Sequence, residues 1–375
     1  MNFLLPSAPW LAARPRFSLV MPAVSGSLFL SACTRMRRIG GGAAWSGLAA
    51  VLILAVPAGT RAADVVAGSS ANARDARSDA EWLQSIQEAA RHQSFVGTII
   101  YQRGDDVHAS RVVQSYSGGE SREVVRTLDG QQREYVRQGE EVQCLYPQLR
   151  RVVIERGGAR IFPAFAEPLP ADVLAHYELR REGSERVAGR MCDLVSLVPR
   201  DKMRYGYRLW VEPSSGLLFK AQTLSDRGAV LEQVTFTDVH VGEPIDPAQL
   251  KPSWATDGWV VERQQSQATE LRQQGWSVTP PSGFHRLVEV VRNMMRGPGQ
   301  RPALQAVYSD GLATVSVFIE PGAPMIDEPE ESQLSGSVTA LSRQVGDARV
   351  TVVGEVPPST AKSIAESVVH SPPPR

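Results

Sequence analysis

The chain has 375 residues, which is more than one ordinary domain needs and enough for two. Its 40 basic and 40 acidic residues give a formal net charge of zero. This balance argues against a dedicated nucleic-acid binder, which is usually basic overall. We therefore expect no nucleic-acid partner.

The N-terminal segment has the pattern of an export signal rather than of a folded domain. A basic run at positions 36–38 precedes an apolar stretch from Ala43 to Val56, which is too short to cross a bilayer comfortably. Thr60 and Ala62 supply small residues at the −3 and −1 positions of a cleavage site. We therefore predict a signal peptide over residues 1–62, with Met36 as the favoured translation start.

Residues 30–33, Leu-Ser-Ala-Cys, support a different interpretation of the same segment. They follow Arg14, Arg16 and an apolar stretch, and they resemble a lipobox in which Cys33 becomes lipidated. In that case the apolar run over residues 43–56 would remain in the mature chain without a role. We favour the signal peptide for this reason, and both interpretations export the protein.

Export makes a disulfide available to the two remaining cysteines. Cys144 and Cys192 both lie in predicted strands, on opposite sides of a long insertion. Strand neighbours cannot be deduced from spacing alone, and buried thiols also occur as small apolar side chains. A Cys144–Cys192 disulfide and two buried thiols therefore stay open as alternatives.

A helix is predicted at the start of the first domain. It follows a polar segment over residues 63–78, which we expect to be a flexible mature N-terminus. Ser78 and Glu81 have the spacing of a capping box, and apolar residues then recur at helical spacing. We place the helix from Asp79 to His92, with Trp82 on its buried face.

Strands fill the rest of the first domain. Alternation of apolar and polar residues is clearest from Val187 to Val239, where Pro/Ser/Gly and Asp/Gly clusters mark the turns. Earlier strands are predicted at Phe95–Gln102, Val107–Ser117, Arg122–Leu128, Gln132–Gln138, Val142–Tyr146 and Arg151–Arg156. Many strands at short spacing predict a large twisted antiparallel sheet or barrel over residues 79–240, with one face on a core.

Residues 161–177 interrupt this rhythm with three prolines, which exclude a central strand. The segment nevertheless carries many apolar side chains for an irregular stretch. It is either a loop folded over an open end of the core or a mobile lid on an apolar cavity. Our candidates for lining such a cavity are Phe162, Phe165, Leu169, Leu174 and Trp210.

A Pro-containing segment over residues 241–275 is predicted to link the first domain to a second one. Trp254 and Trp259 indicate that this linker packs against another part of the protein. The charged run Glu262–Gln274 has the pattern of a polar helix that ends at Gly275.

The second domain is predicted over residues 276–369. Two hairpins, followed by a helix that starts after Pro357, indicate a small antiparallel sheet with one C-terminal helix. Residues 370–375 should form a disordered tail. The fold class of the whole chain is therefore mainly β, or α+β.

The sequence holds no motif that marks a catalytic or metal site. Its six histidines are scattered without metal-ligand spacing, and neither HExxH nor CxxC occurs. A nucleophile elbow, a P-loop and a dinucleotide-binding glycine motif after a strand are also absent from it. We therefore predict a non-enzymatic protein that uses no metal or cofactor, with an exported hydrolase as the least favoured alternative.

Without a catalytic or metal-binding motif, binding of a partner or ligand is the remaining hypothesis for the function. Open sheet edges in the second domain can accept a partner segment by strand addition, and the one-sided sheet of the first domain could hold a lipid chain. A basic run beside the first strand of the second domain can meet an acidic partner or an anionic lipid head. This run comprises Arg286, Arg292, Arg296 and Arg301. Our candidates for the partner surface are Arg286, Arg292, Tyr308 and Phe318.

Extended strings of the sequence resemble the RseB/MucB family, in the right order along the chain. In the first domain these strings are WLQSIQEAARHQSFVGTIIYQRG, QREYVRQGEEV and VAGRMCDLVSLVPRDKMRYGYRLWVEPSSGLLFKAQTLSDRGAVLEQVTFTDV. In the second domain they are AVYSDGLATVSVFIE and VTVVGEVPPSTAKSIAESVV. The resemblance covers nearly all of residues 79–369.

This resemblance implies a two-domain periplasmic regulator of the envelope stress response. The implied first domain is similar to the lipoprotein carriers LolA and LolB, an unclosed antiparallel β-barrel with a helix plug. The implied partner is the periplasmic part of a membrane-spanning anti-sigma factor, which the protein shields from site-1 proteolysis as a negative regulator. Lipid or lipopolysaccharide fragments are implied to compete with that partner, and the second domain to carry much of the contact.

The second hypothesis is a periplasmic lipid or lipoprotein carrier that uses the first domain alone. The second domain, which a carrier would not need, favours the regulator. Residues 1–35 have no counterpart in the family, which supports the start at Met36. Cys192 lies in the family-like string RMCDL, whereas Cys144 has no family counterpart, which weighs against a disulfide. A homo-oligomer stays open as well.

Overall fold

The computed structural model describes residues 78–157, 169–293, 302–325, 330–333 and 336–371. Several sequence predictions fall outside these residues. They concern the signal peptide, the lipobox at Cys33, the mature N-terminus ahead of Ser78, and the residues Phe162, Phe165, Arg296 and Arg301. Within the described ranges, the chain forms two large sheets and three α-helices.

The first helix, α1, spans Asp79–His92 as predicted. Its capping box is complete, because the Ser78 hydroxyl accepts from the Glu81 amide at 3.3 Å and the Glu81 carboxylate accepts from the Ser78 amide at 2.8 Å. Trp82, Leu83 and Ile86 lie on the buried face of the helix. These contacts confirm both the predicted N-terminus and the predicted buried face.

Twelve strands form the first sheet. They are β1 (Phe95–Arg103), β2 (Asp106–Ser117), β3 (Glu120–Thr127), β4 (Glu134–Gln138), β5 (Glu141–Tyr146), β6 (Arg151–Arg156), β7 (Tyr177–Val187), β8 (Arg190–Pro199), β9 (Gly206–Val211), β10 (Leu218–Leu224), β11 (Val230–Val241) and β12 (Val260–Arg263). A short helix, α2 (Val173–His176), precedes β7. The sheet order is β12-β6-β5-β4-β3-β2-β1-β11-β10-β9-β8-β7. The two end strands do not pair with each other, so the predicted unclosed barrel is confirmed.

One face of this sheet surrounds α1. Directly paired residues share a face, and the pairs Val195–Leu209 and Leu209–Ala221 place Leu209 with the inward-facing set. Buried residues from most of the strands join Trp82, Leu83 and Ile86 in a single apolar core. The helix therefore fills the concave side of the sheet, as the predicted helix plug requires.

The segment predicted as a linker joins both sheets through its backbone. β12 pairs in parallel with β6, and β13 (Ser266–Ala268) pairs with a strand of the second sheet. The predicted polar helix at Glu262–Gln274 is therefore wrong, and only a 3-10 turn occurs, at Leu271–Gln274. A run that is polar all round has no apolar face to bury as a helix, whereas its backbone can complete two sheet edges.

Trp254 and Trp259 pack on the outer face of the first sheet, as predicted. They cover an apolar patch formed by Leu145, Val152 and Ile154. Nearby, the Ser253 amide donates to the buried Glu134 carboxylate at 2.8 Å. Residues 253–263 are thereby attached to the first domain.

The second sheet has seven strands in the order β13-β15-β16-β17-β20-β19-β18. They are β15 (His285–Asn293), β16 (Pro302–Ser309), β17 (Thr314–Pro321), β18 (Glu330–Gln333), β19 (Thr339–Val345) and β20 (Ala348–Gly354), with β13 given above. The helix α3 (Pro358–Ser367) buries Ala361, Ile364 and Ala365 in the core of this domain. Sheet and helix confirm the predicted α+β architecture.

A two-stranded pairing closes the end of the second domain. β14 (Trp276–Ser277) pairs with β21 (Val369–His370), and the rings of Trp276 and His370 stack at 4.2 Å. The amide of Ser371 also donates to the carbonyl of Gly275 at 2.7 Å. The ordered chain therefore extends past residue 370, where the disordered tail was predicted to begin.

Candidate functional site

The inner face of the first sheet is apolar and closely packed. Phe236 contacts Phe95 and Phe219 with ring centroids 5.7 Å and 5.8 Å apart, and all three side chains are no more than 2% exposed. Further inward-facing residues include Ile99, Val112, Val125, Tyr135, Val153 and Leu209. This face is an apolar surface of the kind that a lipid chain contacts, but α1 and the packed side chains occupy the space over it.

Trp210 is buried, at 3% exposed, and belongs to the same apolar cluster, but it lies on the strand face opposite Leu209. It pairs with Leu194 and Lys220, one residue out of step with Leu209, so it lies on the outer face. Its indole nitrogen donates to the Glu185 carboxylate at 2.8 Å, and the Lys220 ammonium lies 4.2 Å from the ring centroid. The period of two along β9 could have identified Leu209 as the inward residue instead.

Leu169 and Leu174 behave differently from Trp210. Both are partly buried and pack against the apolar core around α1. Leu169 also reaches the second domain, where a Cβ at Gly311 would lie 2.8 Å from its Cδ1. These two residues, which flank the start of α2, place the end of the Pro-rich segment between the core and the second domain.

A buried ion pair joins the two domains at that place. The Arg204 guanidinium donates to the Asp310 carboxylate at 2.8 Å, and neither side chain is exposed. The Tyr177 hydroxyl donates to the same carboxylate at 2.9 Å. Burial and, after it, the charge of Asp310 raise the pKa of Tyr177 well above its ordinary value. Sequence analysis missed this pair, because 106 residues separate its members and no local pattern connects them.

A second polar contact lies beside it. The ring nitrogen Nε2 of His285 is 2.8 Å from a carboxylate oxygen of Asp172, and His176 is 3.6 Å from the other oxygen. Desolvation opposes ionisation of Asp172, but the hydrogen bond and charge of His285 outweigh it and lower the pKa of this carboxyl. The segment 169–176 is therefore held by the second domain through polar as well as apolar contacts.

A third cluster supports the interface from the hairpin end of β1. The Tyr101 hydroxyl donates to Glu232 at 2.9 Å and accepts from Arg103, whose Nε lies 3.5 Å from Glu232. Above it sits Gly336, with φ of +67°, where a Cβ would lie 2.3 Å from Cγ of Arg103. Only glycine permits this approach of the second domain.

The four candidates for the partner surface lie on two different faces of the second sheet. Arg286 pairs with Tyr308 on one face. Phe318 lies on the opposite face, because it pairs with Gln305 whereas its neighbour Ile319 pairs with Leu304. Arg292 is on the same face as Phe318, since its pairing partner Ala303 packs against Phe318. The four residues therefore do not form one surface, as the alternation along β16 already requires.

Arg292 and Phe318 are also poorly placed to meet a partner. Phe318 is 2% exposed. Burial lowers the pKa of Arg292, an effect that the charge of Glu155 in the first domain opposes. Burial likewise raises the pKa of Glu155, and the positive charge of Arg292 acts against this increase. Arg292 therefore belongs to the contact between the domains rather than to a free surface.

Arg286 and Tyr308 line a pocket of about 360 Å³ in the second domain. Its other lining residues are Leu271, Arg272, Trp276, Ser277, Val278, Pro280 and Glu289. Burial, followed by the charge of Glu289, raises the pKa of Tyr308 to about 12, with Arg286 opposing. Sequence reasoning found two of the lining residues, but it missed the wall that residues 271–280 contribute, because this irregular stretch crosses the predicted boundary between the linker and the second domain.

The two cysteines within the described residues are free, buried thiols. Cys144 lies on β5 and Cys192 on β8, and seven strands separate these two strands in the sheet. The disulfide alternative is therefore not formed. Burial and, after it, Glu155 raise the pKa of Cys144, and burial with Glu212 raises that of Cys192 to about 12. Both thiols are thus held in their unreactive protonated form.

The described part of the chain contains no group of three or more His, Cys, Asp or Glu residues placed to hold a metal ion. No helix there is long and apolar enough to cross a membrane.

Fold and sites together define a two-domain protein in which an open antiparallel sheet, filled by a helix, is bound through buried polar contacts to a smaller α+β domain. The chain belongs to the MucB/RseB family. The family model for the MucB/RseB N-terminal domain matches residues 78–254, and the one for the MucB/RseB C-terminal domain matches residues 270–369.

Relatives cover most of the chain. The sigma factor AlgU regulatory protein MucB of Pseudomonas aeruginosa is 32% identical over 322 residues, which are 84% of this chain and 94% of that protein. The sigma-E factor regulatory protein RseB of Escherichia coli K12 is 26% identical over 314 residues, or 82% and 96% of the two chains. The solved Pseudomonas aeruginosa MucA/MucB complex matches with a TM-score of 0.62 at 31% identity, covering 78% of this chain and 99% of that one.

Proposed function

We propose that this protein is a periplasmic regulatory protein that binds the periplasmic part of a membrane-spanning anti-sigma factor. Bound in this way, it shields the anti-sigma factor from site-1 proteolysis and keeps the stress response off. The observation that carries the proposal is the match over both domains to MucB in its complex with MucA(peri), at 31% identity and a TM-score of 0.63. That match covers 79% of this chain.

The proposal includes release of the partner by lipid or lipopolysaccharide fragments. The inner face of the first sheet is the apolar surface on which an acyl chain would be buried. Because side chains and α1 fill this face, a ligand must displace part of that packing or the neighbouring segment that includes Leu169 and Leu174. This segment contacts the second domain through Pro170 and Asp172. Ligand binding in the first domain would thereby disturb the interface between the domains.

The test is binding of the purified mature chain, residues 63–375, to the purified periplasmic part of its anti-sigma factor. Isothermal titration calorimetry should show a saturable complex, and added lipopolysaccharide should reduce its apparent affinity. Absence of binding by a chain that is folded, as judged by cooperative unfolding, would contradict the proposal. Binding that lipopolysaccharide leaves unchanged would contradict the release step alone.

A lipid or lipoprotein carrier is the second candidate, and the apolar inner face of the first sheet is the observation that favours it. A carrier passes its cargo to an acceptor, whereas a sensor needs only to bind it. Loading the mature chain with a radiolabelled lipid or lipoprotein and mixing it with an acceptor carrier or vesicles separates the two functions. Transfer of the cargo to the acceptor would favour the carrier.

A further inference from the structure

The pocket of the second domain contains a hydroxyl group that no protein group engages. The Tyr308 side chain is 4% exposed, and its hydroxyl has no hydrogen-bond partner among the described residues. It is not one of the unpaired polar atoms that are fully shielded from solvent there, so it faces the open space of the pocket. A ligand atom in the pocket can therefore accept a hydrogen bond from it.

The charges around this hydroxyl favour an anion. Glu289 is already engaged, since one of its oxygens accepts from the Leu271 amide at 2.9 Å and the other lies 3.3 Å from Arg286. Arg272 lines the same pocket and makes no ion pair within the part of the chain that the structure describes. Two guanidinium groups facing one carboxylate leave a single positive charge for a ligand to balance.

The remaining wall is apolar. Leu271 and Trp276 are 2% and 4% exposed, and Val278 and Pro280 complete that side. Trp276 is fixed in place by its stacking on His370 and by the β14–β21 pairing. The volume of about 360 Å³ is near the lower end of the range of roughly 300–1,000 Å³ for ligand pockets. Such a pocket suits a short peptide segment that carries both a carboxylate and an apolar side chain.

We propose that this pocket binds an acidic segment of the partner, with a carboxylate held by Arg272, Arg286 and the Tyr308 hydroxyl and a neighbouring apolar side chain packed on Leu271 and Trp276. The inference rests on the proposed function, because the segment belongs to the periplasmic part of the anti-sigma factor. One net positive charge matches one carboxylate better than a doubly charged phosphate. The apolar wall likewise matches a peptide side chain better than a sugar-phosphate head.

The test uses the mature chain and two kinds of probe. The first is the whole periplasmic part of the anti-sigma factor. The second is a set of overlapping synthetic peptides that tile it, each made also with every Asp and Glu replaced by Asn and Gln. The protein variants are Arg272→Gln, Arg286→Gln and Tyr308→Phe, which remove charge or hydroxyl while keeping most of the side-chain volume. Arg190→Gln serves as the control, because Arg190 is exposed at the far β7–β8 turn and makes no ion pair with a described residue.

Fluorescence anisotropy with labelled peptides should show that one acidic peptide binds the wild-type chain. Replacing its carboxylates by amides should weaken binding about tenfold, as should each arginine substitution, since charge-assisted hydrogen bonds are lost. Tyr308→Phe should weaken binding about threefold to tenfold and should leave the unfolding midpoint unchanged or raised, because the hydroxyl has no partner in the free protein. Arg190→Gln should bind as the wild type does.

Different results would overturn different claims. If the whole periplasmic part binds the wild type but the three pocket variants bind it and every peptide unchanged, the pocket inference is wrong and the proposed function stands. If the whole part does not bind the wild type at all, the proposed function fails, and the pocket inference fails with it. If the pocket variants lose binding to lipopolysaccharide or to phosphatidylglycerol vesicles but not to any peptide, the pocket holds a lipid head group and the inference is also overturned.

Discussion

Arg204 and Asp310 connect the two domains through a pair of charges that are both fully buried. Each nitrogen of the guanidinium donates a hydrogen bond, to Asp310, to Asp201 and to the carbonyl of Ser282, at distances of 2.6 Å to 3.1 Å. Such a pair contributes little to stability relative to apolar residues, but removal of one partner leaves the other charge buried and uncompensated. At the residue scale, this pair is one of the contacts that hold the second domain against the first.

Arg204→Gln should therefore lower the free energy of unfolding of the mature chain by about 3–5 kcal/mol. Urea denaturation followed by far-ultraviolet circular dichroism measures this change. Arg180→Gln is the control, because Arg180 also pairs with a carboxylate but is exposed, and it should leave stability essentially unchanged. Equal stabilities for the two variants would show that the buried pair does not hold the interface.

The contact of Asp172 with His285 predicts a pH dependence. The folded-state pKa of Asp172 is lowered, so the contribution of this contact is fully present above the ordinary pKa of a carboxyl group and is lost as the pH falls through the lower folded value. The stability difference between wild type and Asp172→Asn should thus be present above the ordinary pKa of a carboxyl group and shrink as the pH falls through the lower folded value. Urea denaturation across a pH series measures it, and a difference that does not change with pH would contradict this account.

At the scale of elements, the segment that carries Leu169 and α2 depends on two glycines of the second domain. Gly311 has φ of +96°, and a Cβ there would lie 2.6 Å from Cδ of Pro170. Gly283 has φ of +83°, and a Cβ there would lie 2.4 Å from the ring of His176. Both positions require glycine for two reasons: the backbone is left-handed, and a Cβ would collide with the neighbouring side chain.

Gly311→Ala should loosen residues 169–176 from the second domain, because the added methyl group overlaps Pro170. Gly346→Ala is a control for placing alanine at a positive φ, here +60°, because nothing lies within 4 Å of the new Cβ. Hydrogen–deuterium exchange should therefore become faster over residues 169–176 in Gly311→Ala only. Equal exchange in the two variants would mean that the close approach does not fix this segment.

Elements with a local signal were predictable from the sequence. The capping box of α1 and the alternation of the strands depend on neighbouring residues, and they gave the correct helix and an open antiparallel sheet. The charged run before Gly275 failed because a polar segment acquires its structure from the sheet edges that it completes, which are distant in sequence. For the candidate site, Arg286 and Tyr308 were found together, whereas Trp210 was chosen as a cavity residue although the period of two along its strand sets it on the face opposite Leu209.

At the scale of the whole molecule, the two sheets are joined by more than a flexible linker. β12 completes the edge of the first sheet and β13 that of the second, with only two residues between them. The amide of Gln264, one of those two residues, donates to the carbonyl of Ile154, and its side chain accepts from Arg292. The domains therefore cannot separate without breaking backbone pairing or the buried polar contacts. This tight connection is what would allow a ligand in the first domain to alter the partner site in the second.

The central claim is that the mature chain shields the periplasmic part of its anti-sigma factor from the site-1 protease. The direct measurement is the rate at which that protease cleaves the purified periplasmic part as the mature chain is added in increasing amounts. We predict that the initial rate falls in proportion to the fraction of anti-sigma factor bound. An unchanged cleavage rate at saturating concentrations of the mature chain would contradict the account.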